Sequence, residues 1–441
     1  MTRATSIEHV HGRRVFDSRG RPTVEAEVRL QGGAVGRAIA PAGASKGSAE
    51  AVDRRDGGSV MGGHDVRGAV AAVGERIAPA LRGLNGRDQV AVDEALIALD
   101  GTANRSGLGA NAMIAVSMAV AWAAAGAAGQ PLWRHLLGDR QGPVTLPLPE
   151  IQIFGGGAHA ARRVDIQDFM IVCPGAETVA QALDWTAEVY RAAGELMAES
   201  GRLAGVADEG GWWPAFASNE EALEALVQAI ERAGRRPGDE VAISLDVAAS
   251  EFGRDGSYRL ARDERVLDRD AMIELLEGWL ARYPIVSIED PLAEDDAEGF
   301  LRFTRRFGHA VQIIGDDFLV TDAARVRAAA QTGIANAVLI KPNQRGTLME
   351  TLECWKAAKA YGFGGIVSAR SGETEDVTIC HLAVGWQVPQ LKVGSFSRSE
   401  RMAKWNELLR LEEALGDRAR FAGWAPYAAS PPSPSASGRS A

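Results

Sequence analysis

Strict alternation of apolar and polar side chains appears early in the chain. In Thr23-Val24-Glu25-Ala26-Glu27-Val28 the side chains change face at every position, and a second such run follows Gly33. This period predicts antiparallel strands joined by a glycine-rich turn. Over residues 66–81, 87–98 and 110–128 the apolar period lengthens to three and four, which predicts helices. Strands followed by helices make residues 1–140 a small α+β domain. Residues 141–149 carry three prolines and read as a linker.

Beyond residue 149 the texture changes to short apolar runs at 241–245, 285–288, 311–314, 337–340, 365–367 and 390–393. Amphipathic helical patterns lie between them, among others at 269–280, 322–331 and 346–361. Strands that alternate with helices predict a parallel sheet with crossover connections. Repetition of that unit through residues 141–427 suits a (β/α)8 barrel, with a doubly wound sheet as the alternative. The final segment, 428–441, is rich in Ser, Pro and Gly and reads as a disordered tail.

Composition narrows the function classes. The chain has 441 residues, 46% hydrophobic and 24% charged, the balance of a folded globular protein. A net charge of −10 argues against polynucleotide and anionic-membrane partners. Residues 110–129 carry no formal charge and approach the roughly 20 residues that span a bilayer. They are mostly alanine with Asn111, Ser117 and Gly126, so the pattern predicts a buried helix of a soluble fold. Cys173, Cys354 and Cys380 are odd in number and lack metal-type spacing, which excludes a disulfide framework and a thiolate zinc site. The first ten residues hold no signal-type apolar run, so a cytoplasmic location is expected.

Chemistry concentrates at the ends of the predicted barrel strands. Asp246, Glu289, Asp316, Lys341, Arg370 and Lys392 lie at or next to strand ends, spaced by 43, 27, 25, 29 and 22 residues. Most of these spacings match one strand–helix unit, which would gather the side chains at the C-terminal mouth where barrel enzymes work. Three carboxylates there supply hard oxygen ligands for Mg²⁺. Arg370 offers a planar fork for a phosphate or carboxylate, and Lys392 a point charge. Only six of 48 basic residues are lysine, and Lys341, buried near other cations, is the candidate general base through a depressed pKa. Each charge taken singly reads equally as a helix cap or a solvated loop residue. The set at matching strand ends points instead to a metal-bound anionic substrate. Asp208-Glu209-Gly210-Gly211 would deliver an acid to the same mouth or simply form a turn. Gly43-Ala44-Ser45-Lys46-Gly47 is a small-residue loop suited to capping a phosphate or metal, without Walker spacing. His159, after three glycines, reads as structural or catalytic.

Eight segments in order complete the picture: 15–20, 43–45, 208–211, 287–291, 315–317, 339–341, 370–376 and 398–401. Together they resemble the enolase family over residues 5–424. The resemblance implies an N-terminal capping domain on a barrel, two Mg²⁺ ions and elimination of water from 2-phosphoglycerate to give phosphoenolpyruvate. It implies Lys341 as base and Glu209 as acid, assisted by Asp168 and His159. It assigns Asp246, Glu289 and Asp316 to the first metal and Ser45 to the second. Arg370 and Ser371 take the phosphate, with Lys392, Gln167, Gly43, Ala44 and Lys46 around the substrate. A homodimer or homo-octamer and a place in glycolysis are implied as well.

Departures from the family sit in the same region. The family's Gln-Glu pair is Gln167-Asp168 here, one methylene shorter. Ala369 stands where the family has a histidine before the phosphate-binding arginine, and Lys46 where it has a threonine. Trp212-Trp213-Pro214-Ala215 replaces Phe-Ala-Pro-Asn after Gly211. Two alternatives follow. One is the same elimination on a phosphonate-bearing analogue, as in carboxyphosphonoenolpyruvate synthesis for antibiotic pathways, with Ala369 making room and Lys46 neutralising an extra carboxylate. The other is a non-catalytic binding protein, against which the joint presence of base, acid and three carboxylates argues.

Overall fold

The computed structural model describes residues 3–44 and 46–427. Ser45 and the predicted tail at 428–441 lie outside the described residues. At the N-terminus the strands Ile7–Phe16, Pro22–Leu30 and Val35–Ile39 form an antiparallel sheet in chain order. The helix Ala110–Ala127 packs on this sheet. Its alanine content has a geometric cause at Gly36. A Cβ there would stand 2.1 Å from the Ala119 carbonyl oxygen and 2.2 Å from the Ala123 nitrogen, so the two backbones touch. Among the described residues this helix is long and apolar enough to cross a membrane, and 83% of it is buried inside the fold.

Eight strands then close a barrel in sequence order: Leu148–Gly155, Asp168–Val172, Ala242–Asp246, Ile285–Glu289, Gln312–Gly315, Ala337–Ile340, Gly364–Ser368 and Gln390–Ser395. The predicted linker therefore needs correction. Val144–Leu146 pairs with Ala419–Phe421, and Leu148–Gly155 is the first barrel strand. The expectation of a wholly parallel sheet also fails at the second strand, which runs antiparallel to both neighbours. Only residues 156–167 join the first two strands, and they hold one short helical turn, Gly157–Ala160, in place of a crossover helix. Both strands are buried along their whole length, so neither shows the alternation that betrays a half-exposed strand.

The crossover helices begin at side-chain caps. Asp268 accepts from Ala271 N at 2.9 Å, Asp322 from Arg325 N at 3.0 Å and Ser218 from Glu221 N at 3.1 Å. Such caps fix where each of these helices begins. Inside the barrel Gln312 Nε2 donates to Gln390 Oε1 at 2.8 Å, although these residues come from the fifth and eighth strands. Strands so far apart meet only across the interior. Gln390 Nε2 also donates to Glu150 Oε1 at 2.6 Å, and Tyr427 closes this end of the barrel with its hydroxyl 3.4 Å from the same amide.

Candidate active site

The predicted strand-end residues meet at one mouth. Asp246 and Glu289 end the third and fourth strands in matched register. Because the second strand is reversed, its first residue, Asp168, faces Asp246 directly. Lys392 lies in the eighth strand in register with Ser368, Lys341 follows the sixth strand, and Arg370 follows the seventh. Asp246, Lys341, Arg370 and Lys392 line a single cleft together with Gln167, Asp168, Glu209, Ala369 and Ser371, and Glu289 and Asp316 join it through their ion pairs with Lys392 and Lys341. Gly43 and Ala44 cover the cleft from the capping domain, and His159 reaches it from the loop after the first strand.

Opposite charges hold this mouth together. Lys392 Nζ lies 2.7 Å from Asp246 Oδ2 and 2.8 Å from Glu289 Oε2, and Lys341 Nζ is ion-paired with Asp316 Oδ2. Burial works against the charge of Lys341, but Asp316 and Glu289 outweigh it and hold the ammonium above its ordinary pKa. In this arrangement Lys341 is therefore protonated, contrary to the depressed pKa expected from its neighbouring cations. Burial, and then the Asp246 charge, push Glu289 well above the carboxylate range.

The carboxylates of Asp246, Glu289 and Asp316 fit a divalent cation by donor chemistry. All three are buried hard-oxygen groups, and Glu289 Oε1 has no hydrogen-bond partner. Two tighter clusters of ligating atoms, each within 4.8 Å, lie beside them: His159, Asp168 and Glu209, and Asp290, Asp316 and Asp317. In the second, Asp290 accepts the backbone N–H groups of Asp316 and Asp317 at 2.9 and 2.8 Å, which fixes the turn carrying Asp316.

Glu209, expected to be the acid, stands in the same cleft. His159 Nδ1 is 3.0 Å from Asp168 Oδ1 and its Nε2 is 3.7 Å from Glu209 Oε1. Burial opposes a charged imidazole, yet Glu209 and Asp168 push its pKa up to about 9. The Glu209 turn is pinned on its far side: Tyr190 and Ser397 hydroxyls donate to the Gly210 carbonyl at 2.8 and 2.7 Å.

The anion fork is built from parts distant in sequence. Glu50 of the capping domain pairs with Arg370 through both guanidinium arms, at 2.9 and 3.1 Å. Arg401, fully buried, donates to the carbonyls of Arg370 and Val393 at 2.7 and 2.9 Å and also to the Ser371 carbonyl. Arg19 Nη1 donates to Ser371 Oγ at 3.3 Å. Sequence reading missed Glu50 and Arg19 as parts of the site. Glu50 lies 320 positions from its partner, and no local pattern marks such a pair. Lys46 departs from its expected place beside the substrate. Its ammonium turns to Asp53 Oδ2 at 3.1 Å, a carboxylate that also faces Arg55, and it does not line the cleft. Ser45 lies outside the described residues.

Comparison with known proteins agrees with this geometry. Residues 7–136 match the family described as enolase, N-terminal domain, and residues 143–429 match the enolase C-terminal TIM barrel domain. The chain belongs to the enolase family. A relative named Enolase 1, from Desulfitobacterium hafniense (strain Y51), is 47% identical over 418 residues, covering 94% of this chain and 95% of the relative. Membership of the enolase family accounts for the capping domain and the barrel, and the buried carboxylates suit the Mg²⁺ that the family implies.

Proposed function

We propose that this enolase catalyses the β-elimination of water from 2-phosphoglycerate through the following division of labour. Lys341, a neutral amine once Asp316 is engaged by a metal and no longer holds its proton, takes the proton from C2, and the C–H electron pair becomes the C2–C3 double bond of phosphoenolpyruvate. Glu209 gives its proton to the C3 hydroxyl, which leaves as water. Arg370 and Ser371 bind the phosphate, while Gly43 and Ala44 close over it. Lys392 faces the substrate carboxylate, where negative charge builds during proton removal. Asp246, Glu289 and Asp316 would hold one Mg²⁺, and the loop containing Ser45 a second. Bound there, Mg²⁺ would supply positive charge beside the substrate carboxylate, which would make the C2 proton more acidic.

The observation that carries this reading is the placement of Lys341 and Glu209 in one cleft with the Arg370 fork and Asp246, while buried Glu289 and Asp316 are ion-paired to the lysines of that cleft. A non-catalytic binder has no use for a base and an acid facing one another. The phosphonate-analogue reading needs a cation for an extra carboxylate, and Lys46 is already engaged by Asp53. Ordinary glycerate substrate is therefore favoured. We further propose a cytoplasmic homodimer or homo-octamer, which light scattering on the purified protein tests. The activity itself is tested by following phosphoenolpyruvate absorbance from 2-phosphoglycerate with excess Mg²⁺. Turnover in the ordinary range of about 1 to 10³ per second supports the proposal. Negligible turnover by folded, Mg²⁺-binding protein refutes it.

A further inference from the structure

Asp168 is one methylene short for its assisting role, yet its carboxylate still meets His159. Its position has a second support, which comes from the first barrel strand. Gln152 is fully buried, and its Nε2 donates to Asp168 Oδ1, the same oxygen that faces His159 Nδ1. Its Oε1 accepts the backbone N–H of Gly211 at 2.9 Å. One amide thus ties the strand that carries Asp168 to the turn that carries Glu209.

The backbone is shaped around this side chain. Gln152 lies opposite Met170 in the antiparallel pair, so Asp168, two residues before Met170, is its diagonal neighbour on the same face. A register shift between Gln152 and Phe154 re-aims the strand at this point. Two glycines leave the channel that the amide occupies. A Cβ at Gly155 would lie 3.1 Å from Gln152 Oε1, and a Cβ at Gly211 would lie 2.4 Å from it. Gly211 has no positive φ, so the space for Gln152 accounts for it where a turn does not; at Gly155 an added Cβ would meet the Ala207 Cβ first, at 2.7 Å.

We propose that Gln152 is a positioning residue for proton delivery by Glu209. Its long amide supplies from behind the reach that the short Asp168 arm lacks. Asp168 is thereby fixed as the acceptor for His159, and His159 presents Nε2 to Glu209. The lengths of residues 152 and 168 are linked: a methylene moved from one to the other preserves the span, and a methylene changed on one alone does not. The inference rests on Glu209 acting as the acid on 2-phosphoglycerate.

The test uses the full chain with Mg²⁺ and four variants, Q152A, Q152N, D168E and the pair Q152N/D168E. Each is assayed for elimination, for exchange of the C2 proton with deuterium in solvent, and for the pH profile of kcat. Q152A, Q152N and D168E are expected to lower kcat by about 10- to 100-fold, the usual loss on removing an orienting partner. KM stays within about 2-fold, C2 exchange is retained and the pH profile is displaced, because the base side is untouched. The pair recovers to within about 3-fold of the parent by restoring the summed length. Single variants within about 2-fold of the parent overturn the proposal, and so does a double variant no better than D168E. Exchange falling in step with elimination overturns it too. Q152N, only one methylene shorter, carries the test if Q152A does not fold. Absence of both exchange and elimination in the parent protein would instead defeat the enolase reading, so the two failures are distinguishable.

Discussion

Glu150 offers a prediction whose size follows from its surroundings. It is fully buried within the barrel, with one carboxylate oxygen accepting from Gln390 and the other unpartnered. Burial pushes its pKa from 4.5 up to about 7, against the pull of Lys392 and the Gln390 hydrogen bond. The folded protein therefore keeps a proton that the unfolded chain releases. Stability from this group is fully present below pH 4.5 and is lost progressively up to about pH 7. Glu150→Gln keeps the acceptor for Gln390 and removes the titration. Integrated over the shift, the variant gains about 1 kcal/mol over the parent at pH 5 and about 3 kcal/mol at pH 8. With unfolding entropy near 2 cal/mol/K per residue, this corresponds to midpoints raised by about 1 °C and 3–4 °C. Thermal melts followed by circular dichroism at both pH values measure it. An equal shift at pH 5 and pH 8, or a larger one at pH 5, refutes the reasoning.

Further predictions concern the capping domain, the metal and the helix contact. Glu50→Gln removes the bidentate carboxylate partner of the buried Arg370 guanidinium, which costs about 3 kcal/mol and shows as a lowered melting midpoint that saturating substrate partly restores. Adding Mg²⁺ stabilises the parent protein by about 2.7 kcal/mol at 100-fold excess over Kd, read as a raised melting midpoint, and Asp316→Asn greatly reduces that gain. Gly36→Ala puts a Cβ against the backbone of the alanine helix, so a loss of about 1–3 kcal/mol is expected from urea denaturation.

What could be read in the sequence followed from period and spacing. The capping strands alternate because one face packs apolar side chains while the other carries polar ones such as Glu25, paired with Arg13, and six barrel strands were visible as apolar runs between amphipathic helices. The strand-end charges were legible because each repeat unit ends at the same mouth. The first two barrel strands escaped because a short connection with one helical turn, and no amphipathic helix, joins them, and prolines at 143, 147 and 149 made their approach look like a linker. Glu50 and Gln152 were invisible for another reason. Their roles arise only when distant segments meet, and a single Glu or Gln in a strand or loop carries no period. The placement of Lys46 failed because Asp53, seven residues on, binds its ammonium more closely than any group in the cleft.

The central claim is that Lys341 removes the C2 proton and Glu209 expels the hydroxyl, as two separable steps. Solvent deuterium incorporation at C2 of 2-phosphoglycerate, measured by NMR beside phosphoenolpyruvate formation, resolves them. The account predicts that Lys341→Ala loses both exchange and elimination, by about 10²-fold or more. Glu209→Gln loses elimination and keeps exchange. Exchange that survives in Lys341→Ala, or disappears together with elimination in Glu209→Gln, would contradict the assignment of base and acid.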